Sequence, residues 1–316
     1  MEWDDTFWLS SASLKSQAAE VYVNSNKTWT AALIGITAIW GWSFVAKQQN
    51  LHSMSASALN AWIFLLGAIA LLPFAWRRVP TLTVKDWLAG SLAGVVLFIA
   101  FAFQTSGLGQ TTPSNAGFIT GLSVVLTPFF LFLINAERPS LKQAMGAFVA
   151  LVGLGLLSLN GYAIHSGDLL ILGCAIFFAI HIVVLAKINF SSSSLVLAFI
   201  QLLVVGFLSL AWSVWAGEFS VPDTASSLTV TLVVAVFGTA LAYFVQTRAQ
   251  AVLSAQKVAL LLIFEPIFGA FFGYLLAGDR FTVMNITGAV MIISGMLVSE
   301  LRLPRLRRKP LTMAVD

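Results

Sequence analysis

Two ionisable side chains lie well inside long apolar runs of this sequence, where a charge is costly. Glu265 lies about ten residues into the run 256–277, and His181 lies in the inner half of the run 167–187. Because burial penalises the charged forms, each is a candidate for loading and releasing a proton. Each also has a structural interpretation: Glu265 can cap backbone groups that Pro266 frees, and His181 can bond to a neighbouring helix.

A second set of side chains in or near the apolar runs is able to contact a solute. The polar members are Ser43, Asn60, Gln104, Asn115, Gln201, Gln246 and Lys257, and the aromatic members are Trp42, Trp62 and Tyr243. Rings contact apolar and cationic groups alike, so the aromatic residues are candidates for a cavity wall. The alternatives stay open: amides cross-link helices, Lys257 can extend to the water interface, and the rings can simply pack.

The composition requires a membrane around these residues. Of 316 residues, 59% are hydrophobic and 9% are charged, against about 25% charged in soluble proteins. Each run is long enough for a membrane-spanning helix of about 20 residues and lacks the alternation of barrel strands. The fold predicted is an all-α integral membrane protein of ten transmembrane helices, at 29–47, 55–76, 86–107, 114–134, 142–160, 167–187, 194–216, 227–247, 256–277 and 283–300.

Several function classes are excluded by missing motifs. The nucleotide-binding pattern G-x-x-x-x-G-K-[ST] does not occur, Cys174 is the only cysteine, and the three histidines are scattered. These observations speak against an ATP-driven pump, a metal site and an intramembrane enzyme. The net charge of +4 is not gathered on one helix face, so nucleic acid is not an expected partner. We predict no catalytic residues and no cofactor.

An internal repeat divides the chain. Shifting the sequence by 142 positions aligns eleven identities within 60 residues, without a gap. The informative matches are Gln104-Thr105 with Gln246-Thr247, Arg138 with Arg280, Gly146 with Gly288, and Gly153 with Gly295. The predicted units are a first five-helix repeat at 29–160 and a second at 161–301. Because five is odd, the second repeat enters the membrane inverted, with a solute site between the halves.

The tails and the orientation follow from charge. Residues 1–28 form an arm that is either an amphipathic surface helix or disordered, and residues 302–316 form a basic tail. With both termini in the cytoplasm, fifteen basic residues lie at cytoplasmic ends, and only Lys47 and Arg280 lie outside. This asymmetry predicts cytoplasmic termini and an even number of spans. Glycine pairs such as Gly90 and Gly94 favour contacts inside one bundle, so a monomer is favoured and a dimer stays open.

Three segments resemble a known family. The run Trp40-Gly41-Trp42-Ser43-Phe44-Val45 resembles the WG-x-x-F-V signature of the drug/metabolite transporter superfamily. Two further segments resemble its EamA-type repeats. One runs from Ser114-Asn115-Ala116 to Glu137-Arg138-Pro139-Ser140 and is followed by Gly146. The other runs from Phe264-Glu265-Pro266 to Gly278-Asp279-Arg280 and is followed by Gly288. The resemblance covers residues 29–301, and Asp279 replaces the usual glutamate.

The resemblance implies a function. Such proteins are cofactor-free carriers that use alternating access, and many are exporters of amino acids, other metabolites or drugs in the bacterial inner membrane. The fifth and tenth helices are expected at the periphery. We therefore predict a secondary transporter for small molecules, with proton coupling through His181 or Glu265 as an open possibility and a passive channel as the alternative function.

Overall fold

The computed structural model describes residues 6–135, 138–160, 163–188, 193–253 and 255–300, and only the backbone of 6–26, 134–135, 158–160, 163–164, 255–257 and 259. The helices in these ranges are α1 (Thr6–Asn50), α2 (Ala56–Ala75), α3 (Val84–Leu108), α4 (Pro113–Asn135), α5 (Leu141–Ser158), α6 (Ser166–Lys187), α7 (Ser194–Trp215), α8 (Ala225–Val233), α9 (Ala242–Val252), α10 (Ala255–Leu262), α11 (Phe264–Phe272) and α12 (Val283–Glu300). They are joined by a 3₁₀ turn (Val79–Thr81), two π-helical segments (Val234–Leu241 and Gly273–Ala277), and two antiparallel strands, β1 (Leu159–Asn160) and β2 (Ala163–Ile164).

The predicted fold class is confirmed. Nine helical stretches in the described ranges are long and apolar enough to cross a membrane, and Leu141–Leu157 is a tenth, shorter apolar helix. The chain is an all-α, multi-pass membrane protein. The ten predicted runs coincide with these ten stretches, although the first reaches Asn50 and not residue 47. The predicted arm 1–28 is helical from Thr6 and runs into the first span without a break; residues 1–5 and the tail 302–316 lie outside the described residues.

Polar caps fix the ends of several spans. At the start of α3, the Thr83 hydroxyl accepts from the backbone N–H of Asp86, and the Asp86 carboxylate accepts from the backbone N–H of Thr83. At the start of α2, Ser55 accepts from the backbone N–H of Ala58 at 3.1 Å. These caps satisfy backbone donors that have no partner within their own helix. These two spans therefore begin at defined residues.

Helices of the two sequence halves pack against one another. α2 packs on α7, α3 packs on α6, α4 packs on α6 and α11, and α1 packs on α11 and α9. Glycines allow several of these contacts: a Cβ on Gly41 would lie 2.6 Å from the backbone nitrogen of Gly269 in α11. A space at the centre of the bundle is therefore bordered by both halves.

Helices α5 and α12 pack with their backbones in close contact. A Cβ on Gly153 would lie 2.6 Å from the carbonyl oxygen of Gly288, and a Cβ on Gly288 would lie 2.6 Å from the carbonyl oxygen of Gly153. Gly146 and Gly295 oppose each other in the same way. Small residues let the two backbones touch. Glycine at these four positions is therefore a packing requirement.

Two spans predicted as regular helices contain an irregular turn. In the run 256–277 the regular hydrogen bonding breaks at Ile263, between α10 and α11, although the backbone of Ile263 keeps right-handed helical angles. Pro266 explains this break because its ring clashes with the carbonyl four residues earlier, at Leu262, where α10 ends. The run 227–247 contains the π-helical segment Val234–Leu241, a form often found at functional sites. Both irregular segments face the centre of the bundle.

Candidate functional site

A central cavity lies among helices of both halves, and we call it the central cavity throughout. It is bordered by α1, α2, α3 and α4 of the first half and by α6, α9, α10, α11 and the segment Val234–Leu241 of the second. Its wall consists of Trp40, Ser43, Phe44, Lys47, Asn60, Ile63, Phe64, Phe101, Gln104, Thr120, Ser123, Phe178, His181, Ile182, Val234, Gly238, Thr239, Tyr243, Gln246, Leu262 and Glu265. Its volume of about 60 Å³ admits a few water molecules. The helices must separate to admit an organic solute.

Lys47 is the basic residue of this wall. Its side chain is only 6% exposed, and its ammonium group donates a hydrogen bond to Oε1 of Gln104 at 2.6 Å. The nitrogen also lies 5.3 Å from the ring centre of Phe44 and 5.4 Å from that of Phe101. Ring faces attract a cation, so two aromatic side chains and one amide hold the ammonium in place.

The charge pattern placed Lys47 at the outer end of the first span, and Lys47 was not predicted to line the cavity. Helix α1 extends to Asn50, almost one turn beyond Lys47, so the side chain lies inside the bundle. Trp40, Phe44 and Lys47 recur at helical spacing on α1 and line the cavity together. This spacing is visible in the sequence and was the signal that could have identified Lys47.

Glu265 lines the cavity from the opposite half. It lies in the first turn of α11, directly after the break at Ile263, and it is half-buried. The central cavity therefore has a carboxylate on α11 and an ammonium on α1.

His181 lies in the same wall but is held by a neighbour. Its Nε2 lies 2.7 Å from Oε1 of Gln201, and both side chains are buried. The Gln201 amide nitrogen donates to the carbonyl oxygen of Leu197, which leaves Oε1 to accept from Nε2–H of the ring. The His181 ring is therefore either neutral with its proton on Nε2 or protonated on both nitrogens. Gln201 positions His181 and does not itself line the cavity.

Among the other polar wall residues, Asn60 and Gln104 connect helices. The Asn60 amide donates to the carbonyl oxygen of Phe101 at 3.1 Å and accepts from Thr105 at 2.8 Å, which ties α2 to α3. Ser43 donates to the carbonyl oxygen of Trp40 at 2.8 Å. Gln104 and Gln246 line the cavity and are both buried. Asn60 and Gln104 therefore fulfil both the cross-linking and the wall interpretations.

Aromatic rings form the apolar part of the wall. Tyr243 contacts Trp40 and Phe101, with ring centres 5.9 Å and 6.2 Å apart. The Trp40 indole donates to the carbonyl oxygen of Gly238 at 2.8 Å, within the π-helical segment. A π-helical segment changes which backbone N–H groups bond to which carbonyl groups. The Trp40 indole therefore gives the carbonyl oxygen of Gly238 a hydrogen-bond donor.

Several predicted candidates lie elsewhere. The Trp62 indole donates to the carbonyl oxygen of Ser220 at 3.0 Å, and its ring stacks on Phe219. Trp42 packs in the core cluster around α2 and α7. Neither lines the central cavity. Lys257 lies in α10, and its side chain is outside the described residues.

Asn115 lines a second cavity of about 540 Å³. This cavity lies where the α3–α4 loop meets the start of α12, and it is also lined by Asp279 and Arg280. Asp279 accepts hydrogen bonds from the hydroxyl and the backbone N–H of Ser114, so it caps α4 from the other half of the chain. The second cavity is thus a junction between the halves at one end of the bundle.

Comparison with known proteins decides the identity of the fold. The EamA-like transporter family profile matches residues 27–159 and again residues 165–301. The chain belongs to the EamA-like transporter family. The predicted resemblance to the drug/metabolite transporter superfamily is confirmed, and the chain is a transporter of that superfamily, which implies a small-molecule substrate.

Relatives of this EamA-like transporter cover most of its length. An uncharacterized transporter of Archaeoglobus fulgidus is 30% identical over 84% of this chain and 84% of its own. A probable amino-acid metabolite efflux pump of Salmonella typhimurium is 27% identical over 87% of this chain and 95% of its own. A protein of known crystal structure aligns with a TM-score of 0.61 at 20% identity, covering 85% of this chain and 96% of its own, and shows the shared fold.

Seven wall residues of this EamA-like transporter were predicted from the sequence, and others were not. Ser43, Asn60, Gln104, His181, Tyr243, Gln246 and Glu265 were candidates and line the cavity. Lys47, Trp40 and the hydroxyl residues Thr120 and Thr239 were not candidates. Thr120 lies one helical turn after Ala116. This spacing did not identify Thr120 as a wall residue, because threonine is common on helix surfaces of any kind. Only the position of the neighbouring helices identifies its face.

Proposed function

We propose that this EamA-like transporter is a secondary carrier that exports small metabolites by alternating access around the central cavity. The observation that carries the proposal is a narrow cavity between the two halves whose wall combines an ammonium group, a carboxylate and aromatic rings. A cavity too small for an organic solute has to open before it binds one. Carriers require such an opening step, whereas an open pore does not.

Symmetric contacts support an inverted repeat. The offset of 142 relates Gly146 to Gly288 and Gly153 to Gly295. In the structure Gly146 opposes Gly295, and Gly288 opposes Gly153. Exchanging each residue for its repeat partner converts one contact into the other, which is the behaviour of a two-fold interface. The two separate family matches also support repeats at 29–160 and 161–301.

The helices around the central cavity are the ones that change their angles during transport. No described side chain of α5 or α12 lines the cavity, and the two helices pack on each other and on α4. They are suited to hold the bundle together while the remaining helices change their angles around the solute. This division of roles agrees with the peripheral position expected for the fifth and tenth helices.

Export of amino-acid-like metabolites is the favoured activity. One relative is described as a probable amino-acid metabolite efflux pump, and both charges of a zwitterion find an opposite charge in the central cavity. Phosphorylated sugars fit less well because a dianion requires several basic side chains.

We place the protein in the bacterial inner membrane. We also propose that it is a monomer, since the glycine pairs Gly90 with Gly94 and Gly117 with Gly121 contact helices of the same chain.

Exchange across a membrane tests the carrier. Purified protein is first screened by thermal shift against amino acids, amines, nucleosides and vitamins, because a ligand of the folded state raises its stability. The stabilising compounds are then tested in liposomes for saturable uptake and counterflow. We expect both for at least one compound. Linear, non-saturable flux without counterflow would identify a channel instead.

Both termini are expected in the cytoplasm. Single cysteines at the exposed positions Gly109 and Asp223 should react with a membrane-impermeant thiol reagent added to intact cells, whereas those at Thr81 and Ser140 should not. Replacement of the buried Cys174 by alanine gives the background for all four variants. Reaction at Thr81 or Ser140 from outside would contradict this orientation.

A further inference from the structure

The ammonium group of Lys47 has fewer partners than a buried charge requires. It carries three N–H donors. In the described part of the chain its contacts are one amide oxygen, that of Gln104, and the faces of Phe44 and Phe101. A buried charge is ordinarily compensated by an opposite charge or by several hydrogen bonds. Lys47 is therefore built to receive an anionic partner.

Glu265 attracts this ammonium group electrostatically, but among the described residues no hydrogen bond or ion pair joins the two side chains. Both residues line the central cavity, but the hydrogen bond of Lys47 goes to Gln104. Glu265 lies on α11, which the break at Ile263 separates from α10. A cation on one half and a carboxylate on the other thus remain available to a solute between them.

We propose that Lys47 binds a carboxylate group of the transported solute, while Gln104 keeps the ammonium group pointing into the cavity. This proposal rests on the proposed function, because it takes the central cavity as the transport site. Two N–H donors of Lys47 match the two oxygens of one carboxylate. The rings of Phe101, Phe178 and Tyr243 then contact the apolar part of the solute. The ligand class is a monocarboxylate with an apolar side group.

Matched ligands separate the carboxylate from the rest of the solute. The probes are L-phenylalanine, L-phenylalaninamide, phenethylamine and 3-phenylpropanoate, with the corresponding leucine series beside them. Binding to the purified transporter is measured by titration and by thermal unfolding. We expect the acids to bind and the amide and amine to bind about 30-fold or more weakly, the loss typical of removing one partner of a buried charge pair.

Three variants assign this preference to Lys47. Lys47→Met keeps the length of the side chain without its charge and should abolish the preference for acids, while Lys47→Arg should retain it in part. Lys85→Met, at an exposed lysine on the first turn of α3, is the matched control and should bind acids as the unaltered protein does. Thermal unfolding without ligand checks that Lys47→Met is folded, since the substitution also removes the hydrogen bond to Gln104 and the contacts with the rings of Phe44 and Phe101.

The outcomes distinguish this proposal from the carrier function. Acid binding by Lys47→Met at unchanged affinity, or equal binding of acids and amides by the unaltered protein, overturns the carboxylate site. Counterflow of amines or amides without any binding of carboxylates also overturns it and leaves the carrier standing. Absence of counterflow for every solute overturns the proposed function itself. If Lys47→Met does not fold, Lys47→Arg and the ligand series on the unaltered protein decide the question.

Discussion

Replacing Glu265 with glutamine is expected to abolish uphill transport and to leave solute exchange in place. Glutamine keeps the size and hydrogen-bonding capacity of the side chain but cannot take up or release a proton. Glu265 lies in the central cavity at the start of α11, where proton binding and solute binding can influence each other. Solute accumulation driven by a pH gradient should fall to the background of protein-free liposomes.

The structural role of Glu265 provides the internal control. The break at Ile263 follows from Pro266, which the substitution leaves intact, so thermal stability should change little. Counterflow, which needs no coupling, should persist, with a weaker affinity for zwitterions because the carboxylate that faces their ammonium group is lost. Glu218→Gln, at an exposed carboxylate between α7 and α8, should leave both activities unchanged.

His181 is the second candidate for coupling, and the structure makes it the weaker one. Its ring is buried and bonded to Gln201, so protonation has to be accommodated within a tight helix contact. We expect His181→Ala to lower stability and to retain gradient-driven transport. If both Glu265→Gln and His181→Ala accumulate solute with unchanged pH dependence, proton coupling through these residues is wrong.

The helices could be predicted because their signal is local. A run of about 20 apolar residues has few alternatives to a transmembrane helix, whatever its neighbours are. The glycines at 146, 153, 288 and 295 were visible as repeat matches for a similar reason, since backbone contact admits no other side chain. Composition and spacing therefore determine the spans and part of their packing.

The cavity wall could be predicted only in part because its signal depends on neighbouring helices. Trp40 and Trp42 lie two positions apart in α1 and face different surroundings: Trp40 lines the cavity, and Trp42 packs near α2 and α7. Lys47 follows Trp40 by two helical turns and shares its face. The charge pattern placed Lys47 at the outer end of the first span, whereas α1 continues three residues further, to Asn50, and Lys47 lies in the cavity wall.

The contact between α5 and α12 is expected to be the most sensitive to added volume. A Cβ on Gly153 would lie 2.6 Å from a carbonyl oxygen and 2.9 Å from the backbone nitrogen of Ile292, so no rotamer change can relieve the clash. Gly153→Ala should therefore destabilise the protein by about 1–3 kcal/mol, the range for overpacking a close contact. Unfolding in mixed detergent measures this loss.

Gly155 supplies the matched control on the same helix. A Cβ on Gly155 meets nothing within 4 Å, so Gly155→Ala should be neutral or stabilise by up to about 1 kcal/mol through helix propensity. A similar loss from Gly155→Ala and Gly153→Ala would show that the contact with α12 is not the cause.

Two further substitutions test the symmetry of this contact. Gly295 is the repeat partner of Gly153, and its added Cβ would lie 2.8 Å from the backbone nitrogen of Ala150. A two-fold interface therefore predicts equal losses for Gly153→Ala and Gly295→Ala. The double variant Gly153→Ala with Gly288→Ala should lose less than the sum of its single variants, because one separation of the helices relieves both clashes. Unequal losses for the repeat partners, or strict additivity at the shared contact, would contradict a two-fold relation between α5 and α12.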